Sequence, residues 1–453
     1  MPVSPARAAA FDILLRVERE SSYAAELLHS NTYADLSTVN HSLATQLVMG
    51  VLRWCSRLDD EIAKASSQPL KKLDLEILIA LRLAVYQFGW LDRIPQRAAL
   101  NESVELVKRA RKKSAAPFVN AVLRKIAQTG APFLARSMRE KWGISQPSSQ
   151  ELAQTTAHPL WLVERWITDY GPDAAISTCD YDQTIPETAI RLRTPEAETE
   201  LKQEGIHLAP GRLLSNARSI EEGDITKSQV FRSLVAIQDE ASQLVAVLAG
   251  HAAPEGSRIL DCCAAPGGKT LAMADQSSTN TITAVETHPH RARRMKELVG
   301  PSSRIEVITA DARHLPLSRP YDRVLADVPC SGTGTLARNP EIKWKLKAED
   351  LADLYQRQVE ILRAALAQLA PKGRLIYSTC SLEKDENENV VEELLAENQN
   401  IRVRDAAQEL AQLKEEGKLV WPDLTSLTRG PYLRTLPGIH PCDGFFAAIL
   451  ERS

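Results

Sequence analysis

The sequence predicts a multidomain protein: an all-helical N-terminal bundle, a small α+β middle segment and a C-terminal doubly wound α/β domain. Three observations predict it. A chain of 453 residues exceeds what one core of ordinary size accommodates. Apolar residues recur at helical spacing through residues 1–145. From residue 236 onward, strand-like and helix-like stretches alternate, the pattern of right-handed βαβ crossovers around a mainly parallel sheet.

The first part takes its helices from sets such as Phe11, Leu14, Leu15 and Val17; Leu43, Leu47, Val48 and Val51; Leu75, Leu78, Ile79, Leu83 and Tyr86; and Phe118, Val119, Val122, Leu123 and Ile126. Pro69 and Pro95 mark helix starts or turns, because proline is tolerated only near a first turn. The run SQPSSQ at 145–150 reads as a linker. Residues 151–235 are expected to form a small α+β subdomain, with a helix over 160–170 and a strand over 189–193. In 236–453 the expected strands are 258–262, 281–286, 305–309, 323–326, 374–378, 401–404 and 445–450. The expected helices are 269–274, 289–299, 348–369 and 388–397.

Hydrophobic residues at 44% and charged residues at 25% exclude wholesale disorder. No apolar run approaches the ~20 residues of a membrane span, so no membrane partner and a cytoplasmic location are expected. Seven cysteines without a secretory signal point to reduced thiols. No CxxC pair or His/Cys cluster has zinc spacing, so no metal is expected. Nothing asks for an obligate oligomer, and a monomer is expected. Net charge is −3, but residues 93–125 carry a local net of +7, leaving −10 elsewhere. Lys108, Arg109, Arg111, Lys112 and Lys113 concentrate that stripe, which reads either as a footprint for nucleic-acid phosphates or as a solvated helix face.

Ligands of doubly wound sheets bind at the carboxyl ends of the strands, near the switch in strand order. The chemically distinctive residues fall there. The loop Cys263-Ala264-Ala265-Pro266-Gly267-Gly268-Lys269-Thr270 follows the first strand of the domain. It is not a P-loop, since Cys263 stands where GxxxxGK[ST] needs its first glycine, and it lacks GxGxxG. What remains is a tight glycine turn into a helix, which lets backbone N–H groups approach a ligand. Glu286 ends the second strand, where an acidic side chain accepts from a ribose diol, and Asp311 follows the third, in reach of an adenine amino group. Either carboxylate is equally read alone as a helix cap; together they fit a nucleoside cofactor. Cys330, in Asp327-Val328-Pro329-Cys330, and Cys380, in Ser378-Thr379-Cys380, lie in polar loops at the next two strand ends. Cys55, Cys179, Cys262 and Cys442 read as small buried hydrophobes.

The runs AAPGGKT, DVPCSGTG with RNPEIKW, and YSTCSLEKDENENVV resemble the motifs of the S-adenosylmethionine-dependent RNA 5-methylcytosine methyltransferases, and the likeness extends over 236–453 to the closing PCDGFFAAIL. The N-terminal part, with IPQRAALNESVELVKRARKKSAAPFVNAVLRKI, resembles the NusB-like RNA-binding domain of the bacterial small-subunit rRNA branch, the RsmB (Sun/Fmu) type. The resemblance implies a Rossmann-like methyltransferase domain, S-adenosylmethionine as cofactor and small-subunit rRNA as partner. It implies that Cys380 attacks C6 of cytosine, that Cys330 helps release the product, and that Asp327 both hydrogen-bonds the pyrimidine edge and lines the cofactor loop. It carries cofactor contact to Cys263 through Lys269, Glu286 and Asp311. Arg338, Asn339, Lys343 and Trp344 read either as a substrate rim, with Arg338 and Lys343 on RNA, or as a basic surface loop. The run 383–393 reads as an acidic helix start with Asp385 as N-cap. The competing reading is a catalytically inactive RNA-binding or assembly factor; the intact Lys269, Asp327, Cys330 and Cys380 argue against it.

Overall fold

A computed structural model describes residues 3–20, 22–129, 146–231, 233–301, 304–315 and 319–453. The chain divides into two compact units: Met1–Ile185 with Leu336–Lys345, and Pro186–Thr335 with Leu346–Ser453. The boundary expected at residue 145, and the first residue of the expected linker, fall outside the described residues.

The first unit is helical. Its helices include Pro5–Arg19, Thr38–Arg53, Cys55–Ala65, Leu75–Trp90, Gln96–Arg109 and Ala116–Gln128. The helix Leu75–Trp90 is central: nearly every residue from Ile77 to Gly89 is buried, so its sequence is apolar all round rather than striped. Leu14, Val48, Leu81, Leu106 and Leu123 from its neighbours and itself form one core. Pro95 sits at the N-cap of Gln96–Arg109, as its fixed φ favours. Three further helices, Ser149–Thr155, Leu160–Tyr170 and Pro172–Asp182, complete this unit. The first starts with a capping box in which Ser148 and Glu151 satisfy each other's backbone N–H.

The expected middle subdomain of 151–235 is therefore corrected. Its helices belong to the first unit and its strands to the second. The reason is hydrophobic patterning: Leu162, Val163 and Trp166 give those helices a core-facing stripe, whereas Ile190, Leu201, Ile206 and Val235 form a separate core under a sheet. That sheet consists of β1 (Ala189–Leu192), β2 (His207–Pro210), β3 (Ala217–Glu222) and β4 (Val235–Ile237), in the antiparallel order β2-β3-β1-β4.

The larger sheet of the second unit has five parallel strands. These are β5 (Arg258–Asp261), β6 (Thr281–Glu286), β7 (Ile305–Thr309), β8 (Tyr321–Asp327) and β9 (Leu369–Thr379), in the order β7-β6-β5-β8-β9. Beyond β9 the sheet turns antiparallel, through β13 (Phe446–Arg452) to β12 (Tyr432–Arg434) and β11 (Thr428–Arg429), with β10 (Ile401–Arg404) also on β13. Side chains alternate between two cores. Ile259, Leu325 and Ile376 join one; Leu260, Val324, Ala326, Leu375 and Tyr377 join the other. Burial on both faces explains why these strands read as continuous apolar runs. The chain leaves β5 toward β6 and β7, then returns to the other side of β5 with β8. The switch point thus lies between the carboxyl ends of β5 and β8.

Candidate functional site

The ends of β8 and β9 run side by side, with Asp327 paired in register to Ser378. That register brings the two cysteine loops together: the Cys330 and Cys380 Sγ atoms are 3.3 Å apart, both part-exposed. Asp327 stands beside them with both oxygens engaged. Its Oδ1 accepts from Ser378 Oγ at 2.8 Å, and its Oδ2 pairs with Lys269 Nζ at 2.8 Å. Lys269 comes from the loop after β5, so one ion pair ties the expected cofactor loop to the thiol pair. Burial opposes its charge, but Asp327, and to a lesser degree negative charge at Cys380, hold the ammonium above its ordinary pKa. The ring of Phe445 lies 5.1 Å from Lys269 Nζ.

The hydrogen bond to Cys380, then burial, then the charges of Cys380 and Glu386 push the Cys330 thiol well above its usual value.

The loop after β5 makes its turn at Gly267, whose φ of 110° is open to glycine and strained for other residues. The short helix Gly268–Ala274 follows. Ala264 is bound back to the sheet through its N–H on Val285 O. Thr270 Oγ1 donates to Asp261 Oδ2 at 2.6 Å, and burial pushes the Asp261 carboxyl up to about 7. Cys263 is part-exposed beside this loop, and burial pushes its thiol up. Glu286 is buried at the end of β6; it accepts from His288 N at 2.8 Å, and its other oxygen lies 3.6 Å from Arg291 Nη1. Asp311 lies past the end of β7, where Arg313 binds it with guanidinium and backbone N–H and holds its carboxyl down to about 2. The donor set suits a nucleoside: a buried carboxylate at β6 for a diol, a glycine turn for close backbone approach, and a Lys–Asp pair between that place and the thiols.

Lys343 is corrected. The sequence reads it either on an RNA-facing rim or in a basic surface loop, and neither holds, since only 1% of it is exposed. Its segment, Leu336–Lys345, belongs to the helical unit. There Lys343 Nζ donates to Arg53 O at 2.9 Å and Trp344 Nε1 to Leu52 O. Arg53 in turn donates to Ala337 O and Asp182 O, and Ala24 N–H to Glu341 Oε1. Helix Thr38–Arg53 leaves its last carbonyls without intrahelical partners, and the 336–345 segment supplies donors to them. Arg338 of the same segment is half-buried.

The basic stripe is on the surface, yet much of it is paired. Lys108 pairs with Glu105, Arg109 with Asp12 and Lys112 with Asp74, at 2.7, 2.7 and 2.9 Å. Arg111 and Lys113 are exposed.

The acidic run is corrected too. The helix begins at Glu388 with Asn387 at its N-cap, and Asp385 lies in the preceding 3-10 turn Lys384–Glu386. The sequence reading missed Glu386, which is fully buried and accepts from Ser331, Ser381 and Gln358. A signal was present: each cysteine is followed by serine, Cys330-Ser331 and Cys380-Ser381, and both serines bind that one carboxylate. Cys55, Cys179, Cys262 and Cys442 are buried, as expected of small hydrophobes.

This fold and site define a class: a Rossmann-like methyltransferase domain carrying a paired-thiol centre, joined in one chain to a NusB-type helical domain. A family model described as 16S rRNA methyltransferase RsmB/F matches residues 248–451, and that of the NusB family matches residues 4–128. The chain is 32% identical over 465 residues to the probable ribosomal RNA small subunit methyltransferase B of Bacillus subtilis (strain 168), covering 100% of both. It is 30% identical over 425 residues to the ribosomal RNA small subunit methyltransferase B of Vibrio cholerae, covering 91% of this chain and 90% of that one. Among solved structures, that of PH0851 shares the fold with a TM-score of 0.79 at 23% identity, covering 100% of both chains. The chain belongs to the RsmB/F family of 16S rRNA methyltransferases.

Proposed function

We propose that this protein methylates C5 of a specific cytosine in small-subunit rRNA through a covalent adduct with Cys380. The observation that carries the reading is the 3.3 Å approach of two thiols beside the Lys269–Asp327 pair at the switch point of the sheet. C5 of cytosine is a poor nucleophile, and a sulfur–C6 bond makes it enamine-like. Cys380 forms that bond. Asp327 hydrogen-bonds the pyrimidine edge and favours protonation at N3, so that electron density moves from C6 toward N3 as the thiolate adds, and Lys269 balances the carboxylate's charge. Once the C5 proton has passed to a base, the Cys380–C6 bond breaks and Cys380 leaves as a thiolate; Cys330, 3.3 Å away, serves this release. The cofactor is S-adenosylmethionine, which when bound supplies an electrophilic methyl group at a sulfonium. Cys263 through Lys269, Glu286 and Asp311 would hold it. The target base must be single-stranded or flipped to meet these groups, and the helical domain with its basic stripe supplies RNA contact.

The test combines methyl transfer to rRNA with calorimetry. Cys380→Ala is expected to abolish transfer while S-adenosylmethionine still binds, and Cys330→Ala to accumulate a covalent RNA adduct. Full activity in Cys380→Ala would refute the assignment. Bisulfite sequencing of rRNA with and without the gene then identifies the cytosine.

A further inference from the structure

Glu386 lies outside the loops that carry the thiols, yet it is bonded to the residue after each of them. Its Oε1 accepts from the backbone N–H of Ser331 at 2.8 Å and from Gln358 Nε2 at 2.8 Å. Its Oε2 accepts from the hydroxyls of Ser331 and Ser381. The two serine hydroxyls are themselves 3.0 Å apart. Gln358 also donates to Pro329 O at 3.0 Å, so the residues on both sides of Cys330 are tied to one point. Ser331, Ser381, Glu386 and Gln358 are all buried.

The backbone that carries these groups is held as well. Tyr377 OH donates to Glu386 O at 2.6 Å from inside β9, and Asn387 Nδ2 donates to Ser381 O at 2.9 Å. Arg434 from β12 donates to Ser381 O at 3.3 Å and pairs with Glu388 at 2.8 Å. These bonds reach the serines rather than either sulfur, so the carboxylate fixes the thiols through the backbone of the two Cys-Ser steps. A buried acidic group satisfied by four donors fixes geometry more tightly than packing alone, because any displacement leaves a desolvated donor unpaired.

We propose that Glu386 is the positioning residue that sets the spacing of the Cys330 and Cys380 thiols, with Ser331, Ser381 and Gln358 as its arms. The consequence for methyl transfer rests on the function proposed above; the effect on thiol spacing does not.

Thiol spacing is read without RNA or cofactor by the rate at which diamide joins Cys330 to Cys380, followed by peptide mapping of the full-length protein. In that reaction the two thiols lose two electrons and two protons to the diazene, which becomes a hydrazine, and one S–S bond forms. Two sulfurs already in contact should couple readily. Glu386→Gln keeps the shape but turns one acceptor oxygen into a donor facing donors. It is expected to slow Cys330–Cys380 coupling by about tenfold or more and to lower kcat for RNA methylation by about 10–100-fold, the scale of an ångström of misplacement, while KM for S-adenosylmethionine stays within about twofold. Ser331→Ala and Ser381→Ala each remove one arm and are expected to slow coupling by a smaller factor; they decide the matter if Glu386→Gln fails to fold. Coupling at the wild-type rate in the folded variants overturns the proposal. Slowed coupling in an enzyme whose methylation survives Cys380→Ala would uphold the spacing role and sink the reaction assigned to the site.

Discussion

Lys343 shows how far a single side chain's environment departs from its composition. Burial pushes its ammonium down to about 7, against attraction from Asp182, with Arg53 adding repulsion. The folded pKa is depressed below the ordinary lysine value, so between about 7 and 10.5 the unfolded chain binds a proton that the folded one does not. Stability contributed by this group is therefore present at high pH and is lost as pH falls toward about 7. Lys343→Met should flatten that part of the stability profile. Denaturant unfolding of both proteins between pH 7 and 10 checks it; the slopes should differ by at most about 1.4 kcal/mol per pH unit. An identical slope in the variant would mean that Lys343 keeps its proton in the fold. Neighbouring His158, 3.3 Å from Asp182, is pushed well below its usual value, by burial first and by Lys343 second, so it adds no competing positive charge to the cluster.

At the scale of elements, the loop after β8 is fixed by a backbone clasp. Gly334 N–H donates to Cys380 O at 2.9 Å, and Gly444 N–H donates to Gly334 O at 2.8 Å. A Cβ on Gly334 would lie 2.2 Å from Gly444 O and 2.9 Å from Cys380 O, and both are backbone atoms. Gly334→Ala is accordingly expected to cost about 1–3 kcal/mol of stability, as overpacking does, and to impair methyl transfer by shifting the Cys380 loop. Urea unfolding and an rRNA methylation assay measure the two effects, and a variant of wild-type stability would contradict the clasp. The strands and both cysteines were legible beforehand because doubly buried strands read as apolar runs and because SGTG and STC mark loops between them. The clasp and Glu386 were not. The clasp and the bond from Glu386 to Ser331 join residues far apart in the chain, which local periodicity does not encode. Glu386 also lies among other acidic residues, where a buried carboxylate looks like a solvated one. Lys343 was misread for the same reason: a lysine in a polar run carries no local sign of burial.

For the whole molecule, the RNA contact proposed above would fall to the basic stripe. The stripe at Lys108, Arg109 and Lys112 is matched by Glu105, Asp12 and Asp74 at the surface. Exposed pairs of this sort contribute little, since water and salt screen them, so under the proposed function these cations would be available to RNA phosphates. Reversing Lys108, Arg109, Arg111 and Lys112 to Glu should weaken rRNA binding and flatten its dependence on salt, by about 0.7 in logarithmic slope for each phosphate of single-stranded RNA that is no longer neutralised. Filter binding over a range of salt concentrations measures it, and an unchanged slope would reduce the stripe to a solvated face. The helical unit and the parallel strands are legible from pattern, since each rests on many residues in register; the antiparallel extension beyond β9 and the division of 151–235 between two units are not, because they depend on long-range pairing and on which core each stripe reaches.

The Leu336–Lys345 segment has a consequence for the order in which the protein is made. The helical unit contains residues 1–185, yet its ten remaining residues emerge from the ribosome only after roughly 150 more have been added. At synthesis rates of about 5–20 residues per second, that is a wait on the order of ten seconds or longer. Until then the end of helix Thr38–Arg53 lacks the donors that Lys343 and Trp344 bring, and Arg53 lacks one of its acceptors. That helix end therefore completes its bonding only after the stretch encoding Cys330 has been translated.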